Sequence, residues 1–354
     1  MTAVAPRGTG LDERVLGAGT NARFALLLFL LVSASGSMLL SVLSALYPGN
    51  ITWCELAAGV DLNHASEVPS ALRTTGQVLA YLPCVARYTV APPWWQILVG
   101  PSVVVAVAAA ATALLPLWKQ RRGRCVRLNH VTGGPEVAAR IEELAAGRVA
   151  RMPELFVSPA ASTKSASVFG TNGRPRLLLN GGLVACRTTD PQTFDAVVLH
   201  ELGHIANRDL TVTYATVALW RTFIVLVGIP YVIWWLFDAV IGDGPVTTAV
   251  SARYIALPAV TAVVMYVVRA DVLRSRELYA DLTANRWGAP LAHVWAMMPP
   301  QTERGRRYQW ASGLLDQLRT HPRWEIRRDA LDDPSPLFAT SALLMLLGGT
   351  PPSC

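Results

Sequence analysis

The chain has 354 residues, of which 52% are hydrophobic and only 16% charged, an unusual balance that argues against a soluble protein. Its formal net charge of +7 comes without a basic patch interleaved with aromatic residues, so nucleic acid is not an expected partner. The apolar excess lies in blocks, which makes the lipid bilayer the first partner to consider.

Residues 1–23 form a short, polar, Gly-rich N-terminus in which Arg7, Arg14 and Arg23 are placed as cytoplasmic anchors. Phe24 to Leu46 then runs 23 residues without a charge, enough to cross a hydrocarbon core about 30 Å thick. It reads as an uncleaved anchor, because its apolar stretch outruns the roughly 7–15 residues of a signal peptide and no Ala-x-Ala site follows. A second uncharged block, Thr89 to Trp118, ends in the stop-transfer cluster Lys119-Gln120-Arg121-Arg122-Gly123-Arg124. Residues 24–118 are thus expected to hold two transmembrane helices joined by an external loop, 47–94. That loop is too small for a ligand-binding domain of usual size without stapling, and reads as a cap over the outer face. Cys54 and Cys84 both fall in it; they either form a disulfide there or stand as two unpaired, small hydrophobic residues.

Residues 119–210 form the first half of a proposed catalytic domain. Val137, Ile141, Leu144 and Val149 make an amphipathic helix over about 135–149, and a strand is expected at Glu154 to Val157. Ser165 to Phe169 and Arg176 to Leu179 flank Thr171-Asn172-Gly173-Arg174, and Asn-Gly between strand-like runs predicts a hairpin. Such a hairpin either offers an edge to which an extended peptide adds by main-chain hydrogen bonds, or simply covers the core. Asp190-Pro191 then opens a helix, with Asp as its cap and Pro at its first position, and Phe194, Val197, Val198, Leu202 and Ile205 fall on one stripe. The same helix carries His200-Glu201-Leu202-Gly203-His204. Residues four apart on a helix share a face, so the two imidazoles can bind one cation and Glu201 can reach a water on it. The plainer alternative is a pair of ordinary helix histidines, one hydrogen-bonded and one solvated.

Residues 211–269 contain two further apolar segments, about Thr211 to Phe237, interrupted by Arg221, and about Ala249 to Val268. The expected architecture is therefore an α-helical membrane protein with about four transmembrane helices. Lys and Arg set its orientation: 13 lie between Lys119 and Leu210 and 10 between Ala270 and Pro334, against only Arg73 and Arg87 in the loop Tyr47 to Trp94. The basic segments are expected to face the cytoplasm, as parts of a multi-pass protein of the cell membrane.

Residues 270–335 supply the second half of the proposed domain. A catalytic zinc uses three protein ligands and one open position, so a third ligand is needed. In Arg276-Glu277-Leu278-Tyr279-Ala280-Asp281, two carboxylates stand four apart on one helix face. Glu277 can bind metal while Asp281 accepts a proton from a ligand imidazole. The alternative is a solvated charged face paired with Arg274 or Arg276. Residues 336–354 form a C-terminal apolar tail whose longest run, Leu337 to Leu347, is 11 residues and too short to span.

His-Glu-Leu-Gly-His-Ile-Ala-Asn-Arg-Asp at 200–209, two apolar segments, Arg-Glu-Leu-Tyr-Ala-Asp at 276–281, and then His321-Pro322 with Arg327 resemble the HtpX-like membrane metallopeptidases, relatives of the CAAX prenyl endopeptidases. The resemblance implies a cytoplasmic α+β gluzincin-type domain inserted among membrane helices. One Zn2+ per chain would be held by His200, His204 and Glu277, with Glu201 as catalytic acid and base. It also implies that Asp281 and Asp209 support the ligands, and that His321 and Arg327 meet the substrate carbonyl or its oxyanion. Two departures stand out: Ser167-Val168-Phe169 occupies the place of the family's usual Asn-Ala-Phe, and the 47–94 loop is longer than usual. The implied function is zinc-dependent endopeptidase cleavage of membrane or membrane-associated proteins at the cytoplasmic face, in the manner of protein quality control. Two alternatives are a BlaR-type signal-transducing protease that cleaves a regulator and a catalytically inactive membrane scaffold.

Overall fold

The computed structural model describes residues 13–46, 54, 57–59, 75–88, 94–122, 125–241, 245–296, 322 and 324–332. Among these the chain is mostly helical with one small mixed sheet. It divides into two compact units.

The first unit gathers residues up to 27, 110–218 and those from 266 onward. It contains the sheet, ordered β1-β2-β4-β3 from strands β1 (Val126–Arg127), β2 (Glu154–Ser158), β3 (Ala166–Thr171) and β4 (Arg174–Asn180). β2 runs parallel to β4, while β1 pairs with β2 and β3 pairs with β4 antiparallel. The β3–β4 hairpin closes through Asn172-Gly173, with Thr171 opposite Arg174, as the Asn-Gly signal predicts. Gly170 has a φ of 105°, and a side chain there would collide with the Arg174 carbonyl, so the hairpin needs glycine at this point.

Alternation along β4 sorts its side chains between two faces. Leu177 and Leu179 enter the main core with Val157, while Leu178 joins Phe156 and Phe169 in a separate cluster. Over the main core lie the amphipathic helix, here Gly134–Ala145, and the helix Pro191–Ala206, which we call the histidine helix. Val137, Ile141 and Leu144 of the former are buried, as are Phe194, Val197, Val198, Leu202 and Ile205 of the latter. At about 25 cal/mol per Å² of apolar surface removed from water, each such fully buried large side chain contributes roughly 1.5–3 kcal/mol. The stripe therefore fixes which face of the histidine helix turns away from the core.

The histidine helix starts as the sequence indicates. Asp190 caps it, its carboxylate accepting from the Thr193 N–H at 3.2 Å and the Thr193 hydroxyl at 2.6 Å. It does not run on unbroken into the third apolar segment: it ends at Ala206, Arg208 takes a left-handed φ of 53°, and a new helix begins at Leu210. The hairpin tip ties this turn down, since Asn172 Nδ2 donates to the Arg208 carbonyl at 2.6 Å.

The second unit comprises residues 28–109 and 219–265. In it Cys54 and Cys84 form a disulfide. Three helices among the described residues are long and apolar enough to cross a membrane: Thr20–Leu43, Trp94–Trp118 and Leu210–Phe237. The last includes a π-helical turn at Ile224–Gly228, which the sequence did not suggest. The fourth expected span, about 249–268, falls within one 42-residue helix, Pro245–Arg286, part of which lies outside the residues whose side chains are described. The expected C-terminal tail, 336–354, lies outside the described residues.

Candidate metal centre

The third potential ligand arrives from far along the chain because the Pro245–Arg286 helix passes directly against the histidine helix. Gly203 permits this approach. A Cβ there would meet the Ala280 carbonyl oxygen at 2.9 Å and its Cα at 3.3 Å, so only a residue without a side chain lets the two backbones come so near.

The approach brings His200, His204 and Glu277 together, with one ligand atom from each within 4.8 Å of the others. The Nε2 atom of His200 lies 3.7 Å from Glu277 Oε2, and that of His204 lies 3.7 Å from Glu277 Oε1. The opposite ring nitrogens are engaged elsewhere. Nδ1 of His200 lies 2.8 Å from Asp281 Oδ1, and Nδ1 of His204 lies 3.1 Å from Asp209 Oδ2. A carboxylate on Nδ1 favours a proton there, which makes the Nε2 atoms, on the Glu277 side, the ones that would give a lone pair to an ion. Bonds of about 2.0–2.1 Å to a tetrahedral zinc would set ligand atoms roughly 3.3 Å apart, so the two 3.7 Å separations from the imidazoles to Glu277 need only a small closure.

Each supporting carboxylate is itself held. Asp281 is fully buried and accepts from Arg327 Nε at 2.5 Å and Nη2 at 2.6 Å, while Asp209 forms an ion pair with the buried Arg276. The alternative of a solvated charged face is not what forms: Arg276 turns to Asp209, and Arg274 Nη2 lies 3.4 Å from Asp271. Burial opposes charge on His200, but Asp281 and Glu277 outweigh it and hold its imidazolium up to about 10. Burial likewise opposes the Asp281 carboxylate, yet the charges of His200 and Arg327 keep it below the usual carboxylate range. A pocket that draws a proton onto a ring facing a carboxylate also favours a divalent cation in that proton's place. The donor set therefore fits a zinc-type ion.

Glu201, next to the first histidine, lies at the sheet edge. Its Oε2 accepts from the Val168 N–H of β3 at 2.9 Å. The structure thus brings together seven of the eight residues expected at the site: His200, Glu201, His204, Asp209, Glu277, Asp281 and Arg327. The eighth, His321, lies outside the described residues. Sequence reading missed Arg276 as the partner of Asp209 and the Val168 main chain as the partner of Glu201, since neither pairing has a local spacing signal.

Compared with models of known families, residues 134–335 match peptidase family M48. The chain belongs to family M48. The match takes in more than half of the chain and all eight expected site residues, and it agrees with the resemblance to HtpX-like and CAAX-related metallopeptidases. Comparisons with curated proteins and with solved structures return no match. The family is one of peptidases, and a protein or peptide substrate follows from it.

Proposed function

We propose that this M48 protein is a zinc-dependent endopeptidase of the cell membrane, with about four transmembrane helices, that cleaves membrane or membrane-associated proteins at the cytoplasmic face. The observation that carries the reading is the convergence of two Nε2 atoms and the Glu277 carboxylate, with both Nδ1 atoms anchored by buried, charge-paired aspartates. In this reading residues 119–210 and 270–335 are the two halves of the catalytic domain, and the apolar segments in 24–118 and 211–269 carry it on the bilayer. The basic segments on either side of those spans support the cytoplasmic orientation.

His200, His204 and Glu277 would hold the ion, which supplies Lewis acidity and makes water a nucleophile near neutral pH. Glu201 takes the proton as water attacks the peptide carbonyl, and returns it to the amine nitrogen as the C–N bond breaks. The substrate adds as a strand along β3, an edge among the described residues. A strand pairing there would compete with Glu201 for the Val168 N–H, releasing the carboxylate for proton transfer as the substrate seats. Asp209 and Asp281 fix the imidazole rings. Arg327, committed to Asp281 through two nitrogens, serves first to position that carboxylate, ahead of the oxyanion contact that the resemblance implies. The oxyanion role remains with His321.

The test uses purified full-length protein, metal analysis and a membrane-protein substrate. Glu201→Gln is expected to keep stoichiometric zinc and lose cleavage, while Glu277→Ala loses the metal. Cleavage by the Glu201→Gln variant, or full zinc retention by Glu277→Ala, would overturn the assignment.

A further inference from the structure

Asp209 and Arg276 also line a second cavity of about 320 Å³, whose walls include Thr20, Asn21, Arg208 and Arg286. At about 30 Å³ per water it has room for roughly ten, near the lower end of the volumes that take small ligands. Its charged lining is three guanidiniums against one carboxylate. Only 4% of the Arg276 side chain is exposed, and Nη2 is spent on Asp209. Its Nε and Nη1 are buried without an acceptor among the described residues. Buried N–H groups on a cation are costly to leave unpaired, and these two are closed to anything the size of a water, so an anion in the cavity would pair with them only as the guanidinium turns toward it.

The cavity's place in the chain narrows the choice of anion. Thr20 is the first residue of one candidate span, and Asp209 immediately precedes another that begins at Leu210. Where two apolar helices begin, a membrane presents its headgroups, and basic pockets between spans select anionic ones. A guanidinium fork matches phosphate oxygens, and Thr20 and Asn21 add neutral donors.

We propose that this cavity binds the phosphate of an anionic phospholipid headgroup, with Arg276 as its buried anchor and Arg208 and Arg286 at its exposed rim. An anion in the cavity beside the Arg276 guanidinium would offset its charge and steady it against Asp209, and Asp209 holds the ring of His204. Lipid occupancy thereby steadies a metal ligand. The proposal rests on the membrane placement given above but not on peptidase chemistry, so lipid binding would persist even if the protein cleaved nothing.

The experiment places full-length, zinc-loaded protein in nanodiscs of phosphatidylcholine, alone or mixed with phosphatidylglycerol, and counts retained lipid by native mass spectrometry. A third arm adds inorganic phosphate to the phosphatidylcholine sample and follows thermal stability. The expected result is one retained phosphatidylglycerol per chain, preferred by roughly tenfold or more over phosphatidylcholine. The double variant Arg208→Gln/Arg286→Gln changes two exposed side chains and should lose that preference while keeping its zinc and its stability in phosphatidylcholine. An unselective wild type, or a double variant as selective as wild type, would overturn the site. Inorganic phosphate matching the stabilisation by phosphatidylglycerol would overturn the lipid as its source.

Discussion

Asp281 gives the sharpest test of how the site is held. It is fully buried, accepts two hydrogen bonds from Arg327 at 2.5 and 2.6 Å, and lies 2.8 Å from His200 Nδ1. Asp281→Asn keeps the shape but replaces one acceptor oxygen by a donor that can face neither the guanidinium nor a ring N–H. Removing one partner of a buried ion pair typically costs about 3–5 kcal/mol, because the other charge is left uncompensated. For a domain of this size that corresponds to a fall in Tm of roughly 6–20 °C. Loss of the carboxylate behind a ligand imidazole should also weaken zinc binding by about 10–100-fold. Tm in detergent by tryptophan fluorescence and zinc affinity by chelator competition read the two effects separately. Arg327→Met should cost a similar amount of stability. The double change Asp281→Leu/Arg327→Met should cost less than the sum of the singles, since it leaves neither Asp281 nor Arg327 without the other and only His200 Nδ1 without its acceptor. Additive losses, or an Asp281→Asn protein within about 0.5 kcal/mol of wild type, would refute the claim that this pair is coupled.

Gly203→Ala should destabilise by about 1–3 kcal/mol through overpacking against Ala280, and should lower zinc affinity by displacing Glu277 one turn away on the same helix. A variant with native Tm and native affinity would show that the helices have room to spare. Metal-stripped protein should depend on pH through His200. Its folded value is raised to about 10 from an unfolded value near 6.5, so its contribution is complete below about pH 6.5 and lost as pH rises through about 10. Tm of stripped protein should fall across that window, and a flat profile would contradict the charge pairing around His200.

Local rules carried much of this architecture. The cap at Asp190, the apolar stripe from Phe194 to Ile205 and the Asn172-Gly173 turn each act within a few residues, and each appears where the pattern puts it. The i, i+4 spacing of His200 with His204 and of Glu277 with Asp281 likewise states a shared face. What the sequence could not state is which distant groups meet that face. Asp281 pairs with Arg327 across 46 positions, and Arg276 faces Asp209 instead of the neighbours on its own helix. The two-residue strand Val126–Arg127 is too short for any periodicity to register. The joining of the fourth apolar segment to the Glu277 helix is hidden by Pro258, which locally argues for a break yet lies inside the 42-residue helix.

That long helix explains why a site divided between two stretches of sequence can still be well held. Residues 200–209 and 276–281 are brought together at Gly203, where backbone lies against backbone, and side-chain rearrangement cannot absorb an error in register. Beyond that point the two aspartates act as independent guides, Asp281 for one imidazole and Asp209 for the other, and each is fixed by its own arginine. The arginines differ in what else they do. Arg327 is spent within the metal centre, whereas Arg276 also lines the second cavity and has two buried donors without an acceptor among the described residues. Loss of Arg327 should therefore be felt alike in every lipid, while the consequence of losing Arg276 should depend on the headgroups supplied. The contrast between those two variants separates a purely structural arginine from one through which the membrane reaches the metal ligands.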